Sequence, residues 1–473
     1  MELSKFLIMR SELSLLTVVL ILLIVEIFSS KEKQSAIINI AIGLFSLHTI
    51  LGFFPSVQGE LFGGMYQHTG LSEVMKSVLN VGVLILLMQS SEWLKKEDNK
   101  GKVTEFFMLT LSTLIGMYFM ISAGDFLMLY LGLELATIPL AALVAYNLKE
   151  MKSIEAGAKF ILLAALSSGI MLFGISLIYG SSGSIYYADI MGNMQMNMLQ
   201  ILALTFFLSG LAFKLSLVPF HFWTADVYEG APTNVAAYLS VISKGAAAFV
   251  LVTLLFTVFK EMFDAWEVML YAMAILTMTV GNIFALRQQN MQRFLAFSSI
   301  AQAGFILLGI ISGTHYGMTT VVYFVLVYVF SNLGAFGVVA IVKNATGKVN
   351  MSDYSGFYQT NPRLSLVMLL SLFSLAGIPP VAGFFGKFFL FAAAAEQGYY
   401  WLVIIAVLNT IISLYYYLVV VKAMFLERSD SPLELIKSDF LTRASIALSV
   451  IGILAAGVFS QVFDWVSLST WGM

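Results

Sequence analysis

Residues 198–224 of this chain read MLQILALTFFLSGLAFKLSLVPFHFWT. This apolar segment is long enough to cross the roughly 30 Å of hydrocarbon in a lipid bilayer. It contains a lysine, Lys214, and five residues later a proline, Pro219. Because proline lacks a backbone N–H and clashes with the carbonyl four residues back, it predicts a helix break that frees the carbonyl of Leu215. The segment therefore predicts a broken membrane-spanning helix with a charge beside the break.

Apolar segments of similar length recur along the chain. The 473 residues are 59% hydrophobic and 11% charged, with a mean hydropathy of +0.90, whereas an average soluble domain has about 25% charged residues. Continuous apolar runs of this length predict helices rather than the alternating strands of a membrane β-barrel. The sequence thus predicts an all-α membrane protein with fourteen transmembrane helices, at residues 13–29, 35–54, 71–93, 104–122, 125–147, 154–179, 198–224, 231–259, 265–286, 292–313, 318–342, 364–396, 400–427 and 441–463.

Lysine and arginine are concentrated in alternate connections between these helices. Most of the 25 lie in the first, third, fifth, ninth, eleventh and thirteenth connections. The first connection, for example, holds Lys31 and Lys33, and the third holds Lys95 and Lys96. Since short cytoplasmic loops carry an excess of positive charge, we expect the odd-numbered connections in the cytoplasm and both termini outside.

A second proline-broken segment lies five helices further along the chain. The pair Pro379-Pro380 precedes Lys387 in the twelfth helix and would free the carbonyls of Leu375 and Ala376. Helices 4–8 and 9–13 would then be two repeats, and five helices per repeat implies opposite orientations in the bilayer. The predicted parts of the chain are an N-terminal three-helix segment, the two inverted repeats and a C-terminal helix, at residues 1–103, 104–260, 261–428 and 429–473.

Four charged residues lie deep inside apolar segments: Glu134, Lys214, Lys244 and Lys387. A charge in hydrocarbon costs several kcal/mol unless it is paired or hydrated, so such residues usually mark a functional site. Pro139, five residues after Glu134, predicts a further break beside a charge. Breaks of this kind are tolerated where the backbone lines a protected or hydrated cavity, as in transporters.

Other charged residues have simpler interpretations. Lys76 and Lys159 lie five residues into their segments, and we expect their side chains to extend to the membrane interface. Asp125 stands at a segment start, which predicts a helix-terminal residue.

Several classes of site lack support in the sequence. Without cysteine, the chain has no disulfide, thiolate zinc site or thiolate-bound iron–sulfur cluster. The four histidines are scattered, and no Gly-rich phosphate loop follows a strand-like segment. Redox or nucleotide chemistry would therefore occur in other proteins.

Four stretches of the chain resemble a known family. They are KLSLVPFHFWTADVYEGAPTNV at 214–235, followed by Ser243-Lys244-Gly245, LGLEL at 131–135, RFLAFSSIAQAG at 293–304 and GIPPVAGFFGKF at 377–388. Together they resemble the antiporter-like N-type membrane subunit of bacterial respiratory complex I, NADH:quinone oxidoreductase, over residues 100–425. Related L- and M-type subunits have a histidine-rich stretch where this chain has Lys244, which favours the N type.

The resemblance implies a proton-translocating subunit of this translocase, driven by redox chemistry elsewhere. Glu134 would pair electrostatically with Lys214, Lys244 would connect that pair to the centre, and Lys387 would be the far gate. Moving one partner of a buried charge pair ejects or recruits a proton. His221, seven residues after Lys214, would relay protons if the helix were continuous there.

The resemblance also implies partners and location. NADH, FMN, iron–sulfur clusters and quinone would be bound by partner subunits, with no cofactor or metal on this chain. Partners would be the other membrane and peripheral subunits of complex I, including a neighbouring antiporter-like subunit, and the lipid bilayer, but no nucleic acid. The location would be the bacterial inner membrane, with both termini periplasmic.

The sequence also allows other interpretations of several residues. His221 could be a hydrogen-bonded structural residue, and Tyr238 and Ser240 could join helices rather than hold water. Asp226 and Glu229 could guide protons or shape their turn. The whole chain could also be a cation/proton antiporter without redox partners, or a structural anchor.

Overall fold

The computed structural model describes residues 3–28, 34–429 and 432–470. The α-helices are α1 Arg10–Phe28, α2 Gln34–Leu51, α3 Gly70–Leu94, α4 Val103–Ile121, α5 Phe126–Val144, α6 Met151–Ser182, α7 Tyr187–Ile190, α8 Met198–Leu215, α9 Phe222–Gly230, α10 Thr233–Tyr238, α11 Lys244–Phe256, α12 Phe263–Ala285, α13 Met291–Ile311, α14 His315–Thr346, α15 Phe357–Thr360, α16 Pro362–Ala376, α17 Ala382–Glu396, α18 Tyr400–Phe425, α19 Phe440–Val458 and α20 Gln461–Thr470.

The described helices account for the fourteen predicted crossings. Thirteen helical segments are long and apolar enough to cross a membrane, and the two short helices α16 and α17 together form the remaining crossing. Helices α3, α13 and α14 are buried along almost their whole length and form the centre of the bundle. The sequence did not predict the short antiparallel hairpin of β1 Gly59–Leu61 and β2 Tyr66–His68.

The connections separate into two groups at opposite ends of the bundle. Lys95 in the third connection pairs with Asp439 in the thirteenth at 2.7 Å, and backbone hydrogen bonds join the ninth and eleventh connections. Backbone hydrogen bonds at the other end join the second, fourth and sixth connections. We call the end with the third, ninth, eleventh and thirteenth connections the basic end. Lys31 and Lys33 lie outside the described residues.

Both predicted helix breaks are present, but one further break is not. Helix α8 ends before Ser216, which has a φ of 60°, and α16 ends before Gly377, which has a φ of 86°. The prolines at 219 and 380 follow in each break, before α9 and α17 begin. Pro139, however, lies inside the continuous helix α5, so the prediction of a break beside Glu134 was wrong. Proline in a membrane helix is tolerated when neighbouring groups satisfy the freed backbone.

The two halves share a succession of helix lengths. Helices α4, α5 and α6 have 19, 19 and 32 residues, and α12, α13 and α14 have 23, 21 and 32. In each half a broken helix follows, and then a further long crossing. This order supports two five-helix repeats. The exact boundaries of the four parts of the chain, at residues 1–103, 104–260, 261–428 and 429–473, stay a prediction.

Lys76 does not extend to the membrane interface, so that prediction was wrong. Its side chain is buried, and its Nζ lies 2.6 Å from Oε1 of Glu12 in α1. The Tyr66 hydroxyl donates a hydrogen bond to Glu12 Oε2 at 2.8 Å and accepts one from Lys76 Nζ at 3.2 Å. Helix α1 thus supplies the carboxylate that keeps this ammonium inside the bundle. Lys159 behaves as expected, since its side chain is 42% exposed.

We expect Glu12→Gln to destabilise the protein because it leaves the buried Lys76 ammonium without its carboxylate. Breaking a buried ion pair from one side costs about 3–5 kcal/mol, whereas replacing both partners with apolar residues is often neutral. The thermal unfolding midpoint in detergent should therefore fall for Glu12→Gln and recover in the double variant Glu12→Met/Lys76→Met. Glu105→Gln, at an exposed site on α4, is the control. An unchanged midpoint for Glu12→Gln would contradict a stabilising role of the pair.

Candidate functional site

Lys214 lies in the last turn of α8, directly before the break. Its side chain is 7% exposed, and its Nζ donates a hydrogen bond to the hydroxyl of Thr137 in α5. The Thr137 hydroxyl donates in turn to the carbonyl of Leu133. Among the described residues, no carboxylate oxygen lies within 4.0 Å of this ammonium. Lys214 is therefore a buried cation held by a neutral oxygen.

Glu134 and Thr137, the hydrogen-bond partner of Lys214, lie on the same face of α5 because they are three residues apart. Asp125 begins this helix, as predicted, by accepting a hydrogen bond from the backbone N–H of Met128 at 2.7 Å. The Glu134 side chain is half-buried, and its Oε1 atom is buried without a hydrogen-bond partner. The structure thus brings Glu134 and Lys214 to one site without a direct ion pair.

Lys244 is the first residue of α11 and follows a π-helical turn, Leu239–Ser243. Such turns insert an extra residue and often occur at functional sites. The Lys244 side chain is 3% exposed, and its Nζ donates to the Ser299 hydroxyl of α13 at 2.8 Å. The ring of Tyr228 lies 5.7 Å from the same Nζ. This second lysine is also held by a neutral oxygen and an aromatic face.

Lys387 lies in α17, after the second break. Its side chain is 4% exposed, and its Nζ donates to the carbonyl of Ala376 at 3.2 Å. The Phe305 ring centre is 4.5 Å away. The amide of Gln302 donates to the neighbouring Leu375 carbonyl at 2.9 Å. These are the two carbonyls that the proline pair was predicted to free, so that prediction is confirmed.

Helix α13 places polar side chains between Lys244 and Lys387. Ser299 bonds to the first lysine, and Gln302, one turn later on the same face, bonds to the carbonyl beside the second. The Tyr417 hydroxyl contacts both Ser298, at 2.5 Å, and Gln302, at 3.4 Å. Three of these side chains, at positions 298, 299 and 302, lie in the stretch 293–304 that was recognised only as a family match.

The two repeats place different chemistry at equivalent positions. A side chain at Gly116 would collide with the backbone of Ala136, and one at Gly281 would collide with Ala301 in the same way. If Ala136 and Ala301 are aligned on this basis, Glu134 corresponds to Ser299, since each lies two residues before its alanine. Thr137 corresponds to Gln302, since each directly follows its alanine. The first repeat therefore has a carboxylate where the second has the hydroxyl that holds Lys244.

The break interrupts the helix face that His221 and Lys214 would share. His221 stands directly before α9, with a buried side chain whose Nδ1 has no hydrogen-bond partner. Its ring lies 4.5 Å from that of Phe222. Helical spacing therefore does not place His221 on the same face as Lys214, and a role for His221 stays a prediction.

Asp226 and Glu229 belong to an ionic cluster at the basic end. Arg293 of α13 pairs with Asp226 at 2.7 Å and with Glu229 at 3.0 Å. Lys159 and Lys152 of α6 contact the same two carboxylates at 2.9 and 3.2 Å. These contacts join α9 to α6 and α13, which supports the turn-shaping interpretation of both acids.

Tyr238 and Ser240 make the helix-joining contacts that were expected as one alternative. The Tyr238 hydroxyl lies 2.6 Å from the Thr113 hydroxyl of α4. Ser240 lies 3.0 Å from the Tyr328 hydroxyl and accepts a hydrogen bond from Asn332 at 2.6 Å, both in α14. The polar interior therefore extends from the lysines towards α4 and α14.

Comparisons with known proteins agree on one family. The family described as "NADH:quinone oxidoreductase/Mrp antiporter, TM" matches residues 123–413. NADH-quinone oxidoreductase subunit N of Phocaeicola vulgatus is 50% identical over 468 residues, which is 99% of both chains. A chain of respiratory complex I from Thermus thermophilus has a TM-score of 0.78 and 28% identity over 95% of this chain and 97% of that one. A chain of the Mrp complex from Dietzia has a TM-score of 0.86 over 99% and 97%, but at 20% identity it shows the shared fold alone.

We expect Gln302→Met to destabilise the second break, because the Leu375 carbonyl would lose its donor inside the bundle. A buried acceptor left without a partner costs about 1–3 kcal/mol. The thermal unfolding midpoint in detergent should fall. It should stay unchanged for Gln288→Met, whose amide bonds only to a carbonyl of the preceding helix near the surface. Equal midpoints for both variants would show that Gln302 does not support the break.

Proposed function

This chain belongs to the NADH:quinone oxidoreductase/Mrp antiporter family of membrane proteins, and on that basis we propose that it is the N-type proton-translocating subunit of a bacterial NADH:quinone oxidoreductase. Protons would pass from the cytoplasm to the periplasm along Glu134, Lys214, Lys244 and Lys387. One observation carries this proposal. The three lysines are buried, and their ammonium groups are bonded to neutral oxygens in the described structure.

Neutral partners suit a proton carrier better than a tight ion pair. An ammonium bonded to a hydroxyl or carbonyl can lose a proton without leaving an unpaired carboxylate behind, and its charge state then depends on charges nearby. Glu134 supplies such a charge next to Lys214, one helical turn from the Thr137 hydroxyl. Lysine suits this role because burial readily destabilises its charged form, whereas arginine stays protonated.

Transfer between the lysines would use the polar side chains of α13. The Ser299 hydroxyl, bonded to Lys244, can accept a proton and donate another. The Tyr417 hydroxyl of α18, which lies 2.5 Å from Ser298 of α13, can do the same. Gln302 holds the broken end of α16 open next to Lys387. Repulsion between neighbouring ammonium groups would make the transfers sequential.

A polar cavity of about 370 Å³ at the basic end is the entrance we propose. Asn234 and Lys343 are among the residues that line it. The Lys343 ammonium donates to the Gln292 side chain at 2.7 Å, and the Gln292 amide donates to the Tyr228 carbonyl at 3.0 Å. Since the Tyr228 ring faces Lys244, this series of contacts leads from the surface to the axis.

The energy for transport would come from other subunits of the complex. NADH, FMN, iron–sulfur clusters and quinone would be bound there, and a neighbouring antiporter-like subunit would adjoin this one. The excess of lysine and arginine at the basic end supports a cytoplasmic position for that end in the bacterial inner membrane, with both termini periplasmic.

A cation/proton antiporter that works without redox partners is the second candidate. The fold itself permits it, because the Mrp chain from Dietzia shares the architecture. The 50% identity to an oxidoreductase subunit over almost the whole chain favours the first candidate. Purification separates the two, since the first requires co-migration with NADH-oxidising, quinone-reducing subunits.

We expect Glu134→Gln to lower proton pumping and NADH:quinone turnover together, because the two are thermodynamically coupled. A fall to roughly a tenth corresponds to about 1.4 kcal/mol in the barrier. Proton pumping can be measured with a pH-sensitive dye in inverted membrane vesicles, and the rate of NADH oxidation can be measured in the same vesicles. Glu105→Gln in the adjacent helix is the control. Normal rates and a normal ratio of protons to electrons would remove Glu134 from the mechanism.

We expect Lys387→Met to impair turnover several-fold while the complex still assembles. Lys387→Arg should be equally impaired, because arginine keeps the charge but does not release its proton. A merely structural role for the cation would instead be rescued by arginine. Assembly is checked by native gel electrophoresis, and Lys422→Met, at an exposed position in α18, serves as the control.

A further inference from the structure

A basic cavity lies at the basic end, where α16 and α19 begin. Its volume is about 510 Å³, and its lining includes Asn361, Arg363, Leu364, Leu435, Lys437 and Arg443. We propose that this cavity binds the phosphates of an anionic phospholipid headgroup, and that a lipid with two phosphates fits it best. The proposal is independent of the proton path, since none of these residues belongs to it.

The walls of the cavity are held in place by one buried amide. The Asn361 side chain is 3% exposed. Its Nδ2 donates to the carbonyl of Glu434 at 3.0 Å, and its Oδ1 accepts a hydrogen bond from the backbone N–H of Ile436 at 2.8 Å. This pair of bonds ties the segment before α19 to the start of α16, so the cavity is formed before any ligand arrives.

Three cations face the cavity without an anionic partner in the described structure. Arg363 and Lys437 have no carboxylate within 4.0 Å, and Arg443 donates only its Nε to the backbone carbonyl of Asp439, at 3.3 Å. No acidic residue is among the described residues that line the cavity. Many other lysines and arginines at this end, such as Lys95 and Arg293, are paired with carboxylates.

Asp439, directly before α19, is already engaged elsewhere. It pairs with Lys95 at 2.7 Å and caps α19 by accepting from the Thr442 backbone N–H at 2.9 Å. Partial burial would raise the pKa of Asp439, but hydrogen bonds from Lys95, Thr442 and Ser91 outweigh it and lower the pKa to about 2. Asp439 thus stays ionised and bound to Lys95, and in the described structure it forms no ion pair with the three cavity cations.

Because the cavity lies where two membrane-spanning helices begin, we expect it at the level of the lipid headgroups. Exposed apolar side chains continue from it along both helices. Leu366 of α16 is 45% exposed, and Phe440 of α19 is 73% exposed. Leu435, on the rim of the cavity, is 66% exposed. Acyl chains would cover these side chains while the headgroup fills the cavity.

The chemistry of the cations favours phosphate. Guanidinium groups bind phosphate oxygens through two parallel hydrogen bonds, and basic pockets between membrane helices on the cytoplasmic side bind anionic headgroups. Three positive charges exceed the charge of one phosphodiester, so two phosphates give the better balance. Free inorganic phosphate shares this chemistry but would gain nothing from the apolar rim.

The test uses the complete complex, delipidated and returned to nanodiscs of phosphatidylcholine with or without cardiolipin. Bound lipid is counted by mass spectrometry for the wild type, for the triple variant Arg363→Gln/Lys437→Gln/Arg443→Gln, and for the control triple Arg287→Gln/Lys348→Gln/Arg428→Gln. The control removes the same charge at exposed sites of the same end. We expect retention of cardiolipin by the wild type and the control, and roughly 100-fold weaker retention by the first triple variant.

Further arms separate the possible sources of the ligand. Excess inorganic phosphate should leave the cardiolipin in place; complete displacement would assign the cavity to free phosphate instead. Equal losses of cardiolipin in both triple variants would show that retention depends only on the total surface charge of this end, and would overturn the site. Failure of the wild-type complex to retain cardiolipin would also overturn the site. If the triple variant assembles poorly, the single variant Arg443→Gln tests the site. We expect it to retain cardiolipin roughly fivefold more weakly than the wild type.

Discussion

Three ammonium groups inside a bundle of apolar helices require oxygen atoms around them, and the architecture of this protein supplies those atoms. An unpartnered charge in hydrocarbon costs several kcal/mol. The Thr137 and Ser299 hydroxyls meet this need for Lys214 and Lys244, and the freed Ala376 carbonyl meets it for Lys387. The helix break before α17 and the polar face of α13 therefore have the same effect. Each brings a neutral oxygen to a buried cation without adding a second charge.

The N-terminal helices solve the same problem differently. Lys76 is as buried as the three axial lysines, but Glu12 lies 2.6 Å from its ammonium. A close ion pair fixes the charge of both partners, because neutralising either one leaves the other unpaired. That arrangement suits a structural tie between helices. Cations held by neutral oxygens can change their protonation with less disturbance, which suits transport. The nature of the partner, rather than burial, distinguishes the two roles.

The two repeats show how one fold acquires a direction. Both contain a broken helix, and a left-handed residue ends the first half of each, Ser216 in one and Gly377 in the other. The lysine, however, precedes the break in the first repeat and follows it in the second. The carboxylate at Glu134 has a hydroxyl, Ser299, at its equivalent position. The two halves share an order of helices but present unequal charges, which suits a proton carrier whose two ends act differently.

The sequence by itself determined the features that depend on local chemistry. Apolar length set the fourteen crossings, and the missing N–H of proline identified the two carbonyls that Gln302 and Lys387 now bind. Only the tertiary structure decided which oxygen meets Lys214 and Lys244, that α5 continues through Pro139, and that Lys76 is paired rather than exposed. Those outcomes depend on which side chains of distant helices reach the same depth and face. Because that depends on packing between segments far apart in the chain, no local pattern specifies it.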